Sequence, residues 1–228
     1  LSLHDALPIY QKKAELLTAF RTVYPDIIGA YEKIRFSTKD LPESQFLYGE
    51  QAPEPLLVTE NGVQFATYLN EGLMTGIFLD QKEVRGRLVD GFAVGKTVLN
   101  MFSYTGAFSV AAAMGGAVAT TSVDLAKRSL PKTTEQFEVN HLNLAPQKII
   151  VMDVFDYFKY ASRKGLSYDM IILDPPSFAR NKKKVFSVAK NYGELVKDSI
   201  DILTDKGTLI ASTNAANLSL AKYQKMVI

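Results

Sequence analysis

The sequence predicts an α/β fold, a doubly wound parallel sheet preceded by a small β-rich unit. Three observations carry that prediction. From Gly95 onward, short apolar runs alternate with helix-length amphipathic segments, a pattern that argues parallel strands joined by right-handed helical crossovers. Those apolar runs close on acids or tight turns: Asn100–Gly106, Asp124, Asp153 and Asp174-Pro175-Pro176. Between Ile27 and Leu79, by contrast, strand formers and turn residues follow one another with no room for a helical crossover.

Composition narrows the field. The 228 residues suit one large domain or one domain with an appendage, and 47% hydrophobic content is enough for a full core. No apolar run approaches ~18 residues, so no membrane span is expected. There is no cysteine, which removes disulfides, thiolate metal sites and a cysteine nucleophile, and suits a reducing, cytoplasmic setting. Two histidines without a cluster of acids make a metal site unexpected. A formal charge of +2 is too small to announce nucleic-acid binding, so any basic footprint must be local.

Taken in order, residues 1–9 resemble the translation of a sequencing-library adapter and are set aside as a non-native scar. Tyr10–Phe20 reads as a short helix, Ile27–Phe36 as a strand, and Ser37–Pro55, with three prolines, as a long loop. Leu56–Glu60 and Val63–Tyr68 flank Asn61-Gly62, the pair whose positive φ angles suit a tight hairpin. Gly76–Leu79 reads as a further short strand. Asp80-Gln-Lys-Glu83 has the spacing of a capping box and opens a helix to about Val89. Strands then follow at 97–102, 117–123, 148–152, 170–173 and 207–212, with helices at 106–114, 125–141, 154–164 and 188–203 between them. His141, at a helix end, is expected to cap or pack. The expected division is 10–90 for the N-terminal helix and β-rich unit and 91–228 for the sheet domain.

In open α/β sheets ligands bind at the carboxyl ends of the strands, and the polar residues collect there. Met170–Leu173 is the most apolar of the runs, and the two prolines after Asp174 force an extended, fixed loop through Ser177 and Phe178. Phe102-Ser103-Tyr104-Thr105-Gly106 turns from strand into helix with backbone amides available to a ligand. The turn has neither the G-x-G-x-x-G spacing of dinucleotide sites nor a P-loop. Asp124, followed by Leu125, lies about 20 residues on, where a carboxylate typically holds ribose hydroxyls. Asp153, followed by Val154, is placed to meet an adenine amine. Any one of these acids alone is more often a helix N-cap; their order along successive strand ends is what favours a ligand.

On these residues the chain resembles the class I S-adenosylmethionine-dependent methyltransferases, with their Rossmann-like sheet, and in particular the branch that modifies bases of 23S ribosomal RNA at cytosine C5 or guanine N7. The resemblance runs over residues 27–228. It rests on Thr75-Gly-Ile-Phe-Leu-Asp-Gln81 with Arg85, Asn100–Gly106, Gly115-Gly-Ala117, Ser122-Val-Asp124 and Leu173–Phe178. It implies S-adenosylmethionine as cofactor, with Phe102–Gly106 at the methionine part, Asp124 at the ribose and Asp153 at the adenine, and with Leu125, Val154 and Asp174 also counted among the cofactor-binding residues. Asp174, Pro175, Pro176 and Phe178 would then face the target base. Members that methylate cytosine C5 use a cysteine after the fifth strand to activate the ring covalently. This chain reads Ala211-Ser-Thr-Asn-Ala215 there, which excludes that route and leaves attack by a ring nitrogen, a reaction that chiefly needs positioning.

Further expectations follow from the same residues. Asn214 supplies a polar contact to the base, and Arg180, Lys182, Lys183 and Lys184 hold RNA phosphates beside it, although such a run is as often plain solvated surface. Ribosomal RNA is the expected partner, with homodimerisation left open. A small-molecule methyltransferase and a non-catalytic RNA-binding module on the same fold are the rival readings. Because Tyr223–Ile228 stops within an amphipathic helix, the chain is expected to be a piece of a longer protein, with the 207–212 strand left as an edge prone to association.

Overall fold

The computed structural model describes residues 10–35, 41–180, 185–215 and 218–228. The segment at 1–9 and the lysines at 182–184 lie outside the described residues. The chain divides into two compact units: residues up to 58 together with 66–77, and residues 59–65 together with 78–228.

In the first unit, helix α1 (Lys13–Val23) is followed by strands β1 (Gly29–Lys33) and β2 (Ser44–Gly49), which pair antiparallel. The 37–55 stretch is therefore not all loop. Phe46, Leu47 and Tyr48 form a strand because β1 offers a partner, and the Phe46 ring packs edge-on against Tyr31 at 5.3 Å; cross-strand aromatic pairs of this kind outweigh weak local propensity. The Lys33 ammonium fastens the unit by donating to the carbonyls of Leu69, Glu71 and Gly72 at 2.6–2.7 Å and to the Ser44 hydroxyl at 2.7 Å. Strands β3 (Leu56–Glu60) and β4 (Val63–Thr67) form the hairpin, with Asn61 and Gly62 at φ 51° and 75° as its turn requires; its tip, residues 59–65, is counted with the second unit. Gly76–Leu79 is not a strand. Gly76 has φ 111°, outside the extended range of a strand, and Leu79 already belongs to a 3₁₀ turn; the Tyr68 amide donates to the Thr75 carbonyl at 2.9 Å just before it.

The second unit holds the five-stranded sheet, in the order β11–β8–β5–β6–β7 with every pairing parallel. Its strands are β5 (Thr97–Met101), β6 (Ala119–Asp124), β7 (Gln147–Val151), β8 (Tyr168–Leu173) and β11 (Leu203–Ala211). Helices α3 (Ala107–Met114), α4 (Ser129–Glu138), α5 (Val154–Arg163) and α6 (Val188–Ile200) are the crossovers, and α7 (Leu220–Val227) follows β11. The alternation of side chains along a strand sorts the core into two faces. Leu99, Met101, Ile171 and Leu173 pack with α5 and α6, while Val98, Met170 and Ile172 pack with Phe108, Ala111 and Ala112 of α3. This is the doubly wound α/β sheet expected.

Two local expectations fail. Asp80 opens no capping box: it lies in a 3₁₀ turn (Leu79–Gln81), and α2 (Lys82–Arg87) begins after Gln81 with no side-chain cap. Phe178 belongs not only to a loop but to a short strand, β9 (Phe178–Arg180), antiparallel to β10 (Val185–Ser187). At the opposite edge of the sheet Asp169 accepts hydrogen bonds from the Thr97 amide and hydroxyl and from Thr204. The Thr97 amide, chiefly, holds its carboxyl below the usual carboxylate range; this acid ties strand starts together. Among the described residues no helix is long and apolar enough to cross a membrane.

Candidate active site

The strand order reverses between β5 and β8, whose last residues, Met101 and Leu173, are paired. A crevice outside such a reversal is the general ligand site of open α/β sheets. Four loops leave adjacent carboxyl ends there: Asp174–Phe178 after β8, Phe102–Gly106 after β5, Asp124–Leu125 after β6 and Asp153 after β7. With strands ~4.8 Å apart, the row from β8 to β7 is about 14 Å long.

The loop after β5 has the most constrained backbone of the sheet domain. Phe102, Tyr104 and Gly106 take positive φ of 59°, 51° and 77°. For the two aromatic residues this costs free energy that only surrounding structure can repay, a state that clusters at functional sites. The surroundings are identifiable. The Ser103 amide donates to the Val123 carbonyl at 3.0 Å and the Tyr104 amide to Asp124 Oδ2 at 2.9 Å. Phe78 lays its ring 5.6 Å from that of Tyr104. Gly106 ends the loop against α4, where an added Cβ would stand 2.4 Å from Thr133 Cγ2.

Asp124 thus has a local task besides any ligand: its other oxygen accepts the Ala126 amide at 2.8 Å. Leu125 beside it is exposed. The Met152 amide donates to the Asp124 carbonyl at 3.0 Å and brings the start of α5 alongside. Asp153 there caps α5 by accepting the Phe155 and Asp156 amides through Oδ1; Val154 is buried in the core. Beneath the loop, Asn100 Nδ2 donates to the Ser109 hydroxyl at 3.0 Å, and Ser109 meets Ser122 at 2.7 Å, all buried.

After β8, Asp174 is half-buried, Pro175 buried, and Phe178 60% exposed. A large aromatic so exposed at a strand-end crevice is available for stacking. Burial pushes the Asp174 carboxyl above the usual carboxylate range, opposed by the Ser212 hydrogen bond; Asp80 pushes the same way as burial and Arg85 against it. Asn214 Oδ1 accepts from Ser177 Oγ at 2.8 Å, so Asn214 joins this loop. Arg180 lies on β9, and Lys182, Lys183 and Lys184 fall outside the described residues.

Asp80 and Arg85, which the sequence offered only as members of the motifs that carry the resemblance, both act electrostatically on Asp174. Arg85 is 2% exposed; its Nε and Nη2 donate to the Glu60 carboxylate at 2.7 and 2.9 Å, and Nη2 also to the Phe78 carbonyl at 2.8 Å. That clamp fixes the Phe78 carbonyl directly before the Leu79–Gln81 turn that carries Asp80. The only signal for Arg85 was its place in the resemblance.

The features of the β5 loop fit an S-adenosylmethionine group. The N-terminus of α3 has no side-chain cap, and its free amides suit a carboxylate. The buried hydroxyl of Ser103 has no hydrogen-bond partner among the described residues. Residues 30–222 match the family model for S-adenosylmethionine-dependent methyltransferases. The chain belongs to that family.

Its relatives agree. A Bacillus subtilis (strain 168) protein, YwbD, provisionally named as a ribosomal RNA large subunit methyltransferase, is 52% identical over 221 residues, 96% of this chain and 56% of its own length. A Deinococcus radiodurans ribosomal RNA large subunit methyltransferase is 35% identical over 97% of this chain and 54% of its own. Among solved structures SMU.776, provisionally described as a methyltransferase and crystallised with SAH, superposes with a TM-score of 0.91 at 57% identity, over 96% of this chain and 56% of that one. The chain therefore spans just over half the length of these relatives.

Proposed function

We propose that this methyltransferase chain transfers a methyl group from S-adenosylmethionine to a ring nitrogen of a base in large-subunit ribosomal RNA. The observation that carries the reading is the row of four strand-end loops, in the order Asp174–Phe178, Phe102–Gly106, Asp124, Asp153, across the switch point of the sheet. Bound there, S-adenosylmethionine supplies an electrophilic methyl group. Phe102–Gly106 and the α3 amides hold its amino-acid end, Asp124 accepts from ribose hydroxyls and Asp153 from the adenine amine. Phe178 stacks on a base splayed out of the RNA, and Asp174 accepts a hydrogen bond from its N–H edge. Holding the acceptor nitrogen in line and away from water is the main work such a transfer asks of a protein.

The relatives' names support an RNA substrate, and the absence of cysteine from the sequence leaves ring nitrogen rather than cytosine C5 as the acceptor. Arg180 and Lys182–Lys184 give the phosphate contacts, and a ribosomal substrate implies the cytoplasm. Incubation with methyl-labelled S-adenosylmethionine and unmethylated 23S RNA should place label in an N-methylated base; label confined to the donor would overturn the reading. Changing Lys182, Lys183 and Lys184 to alanine should weaken RNA binding and flatten its salt dependence through fewer released counterions, without moving cofactor affinity. An unchanged salt slope would make the run solvated surface.

A further inference from the structure

We propose that Ser212 is a positioning residue of the methyl-transfer site, holding Asp174 against the end of β11, with Tyr192 and Tyr223 fixing that strand end. The inference rests on the reading of Asp174 as a base-facing group.

Ser212 follows directly on β11, whose Ala211 is paired with Leu173 of β8. Its amide donates to the Leu173 carbonyl at 2.9 Å, carrying the ladder one step past the strand. Its hydroxyl donates to Asp174 Oδ1 at 2.6 Å, across 38 residues of sequence. Pro175 and Pro176 leave the reaction loop without two backbone donors of its own, so its anchor must come from a neighbour. Ser177 repeats the arrangement by donating to Asn214. The loop is therefore stitched twice to the segment after β11.

That segment is held in turn from behind. The Tyr192 hydroxyl donates to the Ser212 carbonyl at 2.8 Å, and the Tyr223 hydroxyl to the Ala211 carbonyl at 2.6 Å. The two rings lie 5.3 Å apart, and Tyr192 is fully buried on α6. Burial, chiefly, pushes the Tyr192 phenol far above its ordinary range, so it stays a donor at any pH the protein meets. Helices α6 and α7 thus reach the reaction edge through two phenols and one serine.

A carboxylate that accepts from a base must be ionised and aimed. Among the described residues, the charged and titratable groups that interact with Asp174 are Asp80, Arg85 and Tyr192. Burial raises the Asp174 pKa, and the Ser212 hydrogen bond is the largest influence opposing it. Without the hydroxyl the folded pKa rises further. At a given pH more of Asp174 is then protonated, and activity that needs its anion fails at a higher pH on the acid side.

The test compares wild type with Ser212→Ala, Ser212→Thr and Tyr223→Phe in the whole chain, by carboxyl ¹³C titration and by the pH dependence of methyl transfer. Ser212→Ala should move the Asp174 titration and the acid limb of kcat/KM upward together and lower kcat about tenfold or more, with cofactor affinity unchanged. Ser212→Thr, which keeps the hydroxyl, should restore both; Tyr223→Phe should lower kcat without moving the titration. An Asp174 titration unmoved by Ser212→Ala overturns the proposal. If wild type transfers no methyl group, the functional reading fails instead, while the titration still decides whether Ser212 governs Asp174.

Discussion

Replacing Glu60 with alanine is expected to remove about 3–5 kcal/mol of folding stability, the cost of leaving a buried charge without its partner. Arg85 would stay 2% exposed between the rings of Phe65 and Phe108, each 5.8 Å from its guanidinium, and among the described residues only the Phe78 carbonyl would remain to accept from it. Against a total stability of ~5–15 kcal/mol this is a large share. Urea denaturation reads the effect as a lower midpoint at constant slope. Glu60→Gln keeps the shape and loses the charge, and should cost less. The double change Glu60→Leu with Arg85→Met should recover much of the loss, because an apolar pair of similar volume often replaces a buried ion pair at little cost. It should not recover activity, since the clamp on Phe78 that sets the Leu79–Gln81 turn would be gone.

Gly106→Ala should nearly abolish cofactor binding. The residue sits at φ 77°, where a side chain costs roughly 1–2 kcal/mol. Its Cβ would also stand 2.4 Å from Thr133 Cγ2. Thr133 is fully buried on α4, so it has nowhere to move. The loop must yield instead, and its displacement withdraws the α3 amides from the ligand; a loss in affinity of ~100-fold or more corresponds to ~3 kcal/mol. Calorimetric titration of the variant reads this directly, and near-normal affinity would show that the loop does not hold the ligand. A paired Thr133→Ala change, which clears the space, should recover the steric part and leave the backbone part.

These two changes also mark what could be read from sequence. The sheet was legible because buried parallel strands are short apolar runs, and Met170–Leu173, Thr97–Phe102 and Lys148–Met152 announce themselves. The strand-end acids were legible because a chain that alternates strand and helix returns to one edge at each turn. Strand β2 was not, since its pairing with β1 lies across a segment rich in prolines and polar residues. Asp80 was misread because Asp-x-x-Glu is a local pattern, whereas its position is set by Arg85 gripping Glu60 from 25 residues away. The Ser212–Asp174 bond was beyond reach for the same reason: nothing in Ala211–Ala215 shows which carboxylate its hydroxyl meets.

The most direct test of the account is calorimetric titration of the protein with S-adenosylmethionine, alongside Asp124→Ala. Asp124 is expected to hold ribose hydroxyls while anchoring the Tyr104 and Ala126 amides. Its removal should weaken binding by about 1–3 kcal/mol, the cost of unpairing buried polar groups. Saturable heat in wild type, with affinity reduced roughly 5- to 150-fold in the variant, is the predicted result. No heat at millimolar ligand, equal affinity in both proteins, or a preference for NAD would contradict it.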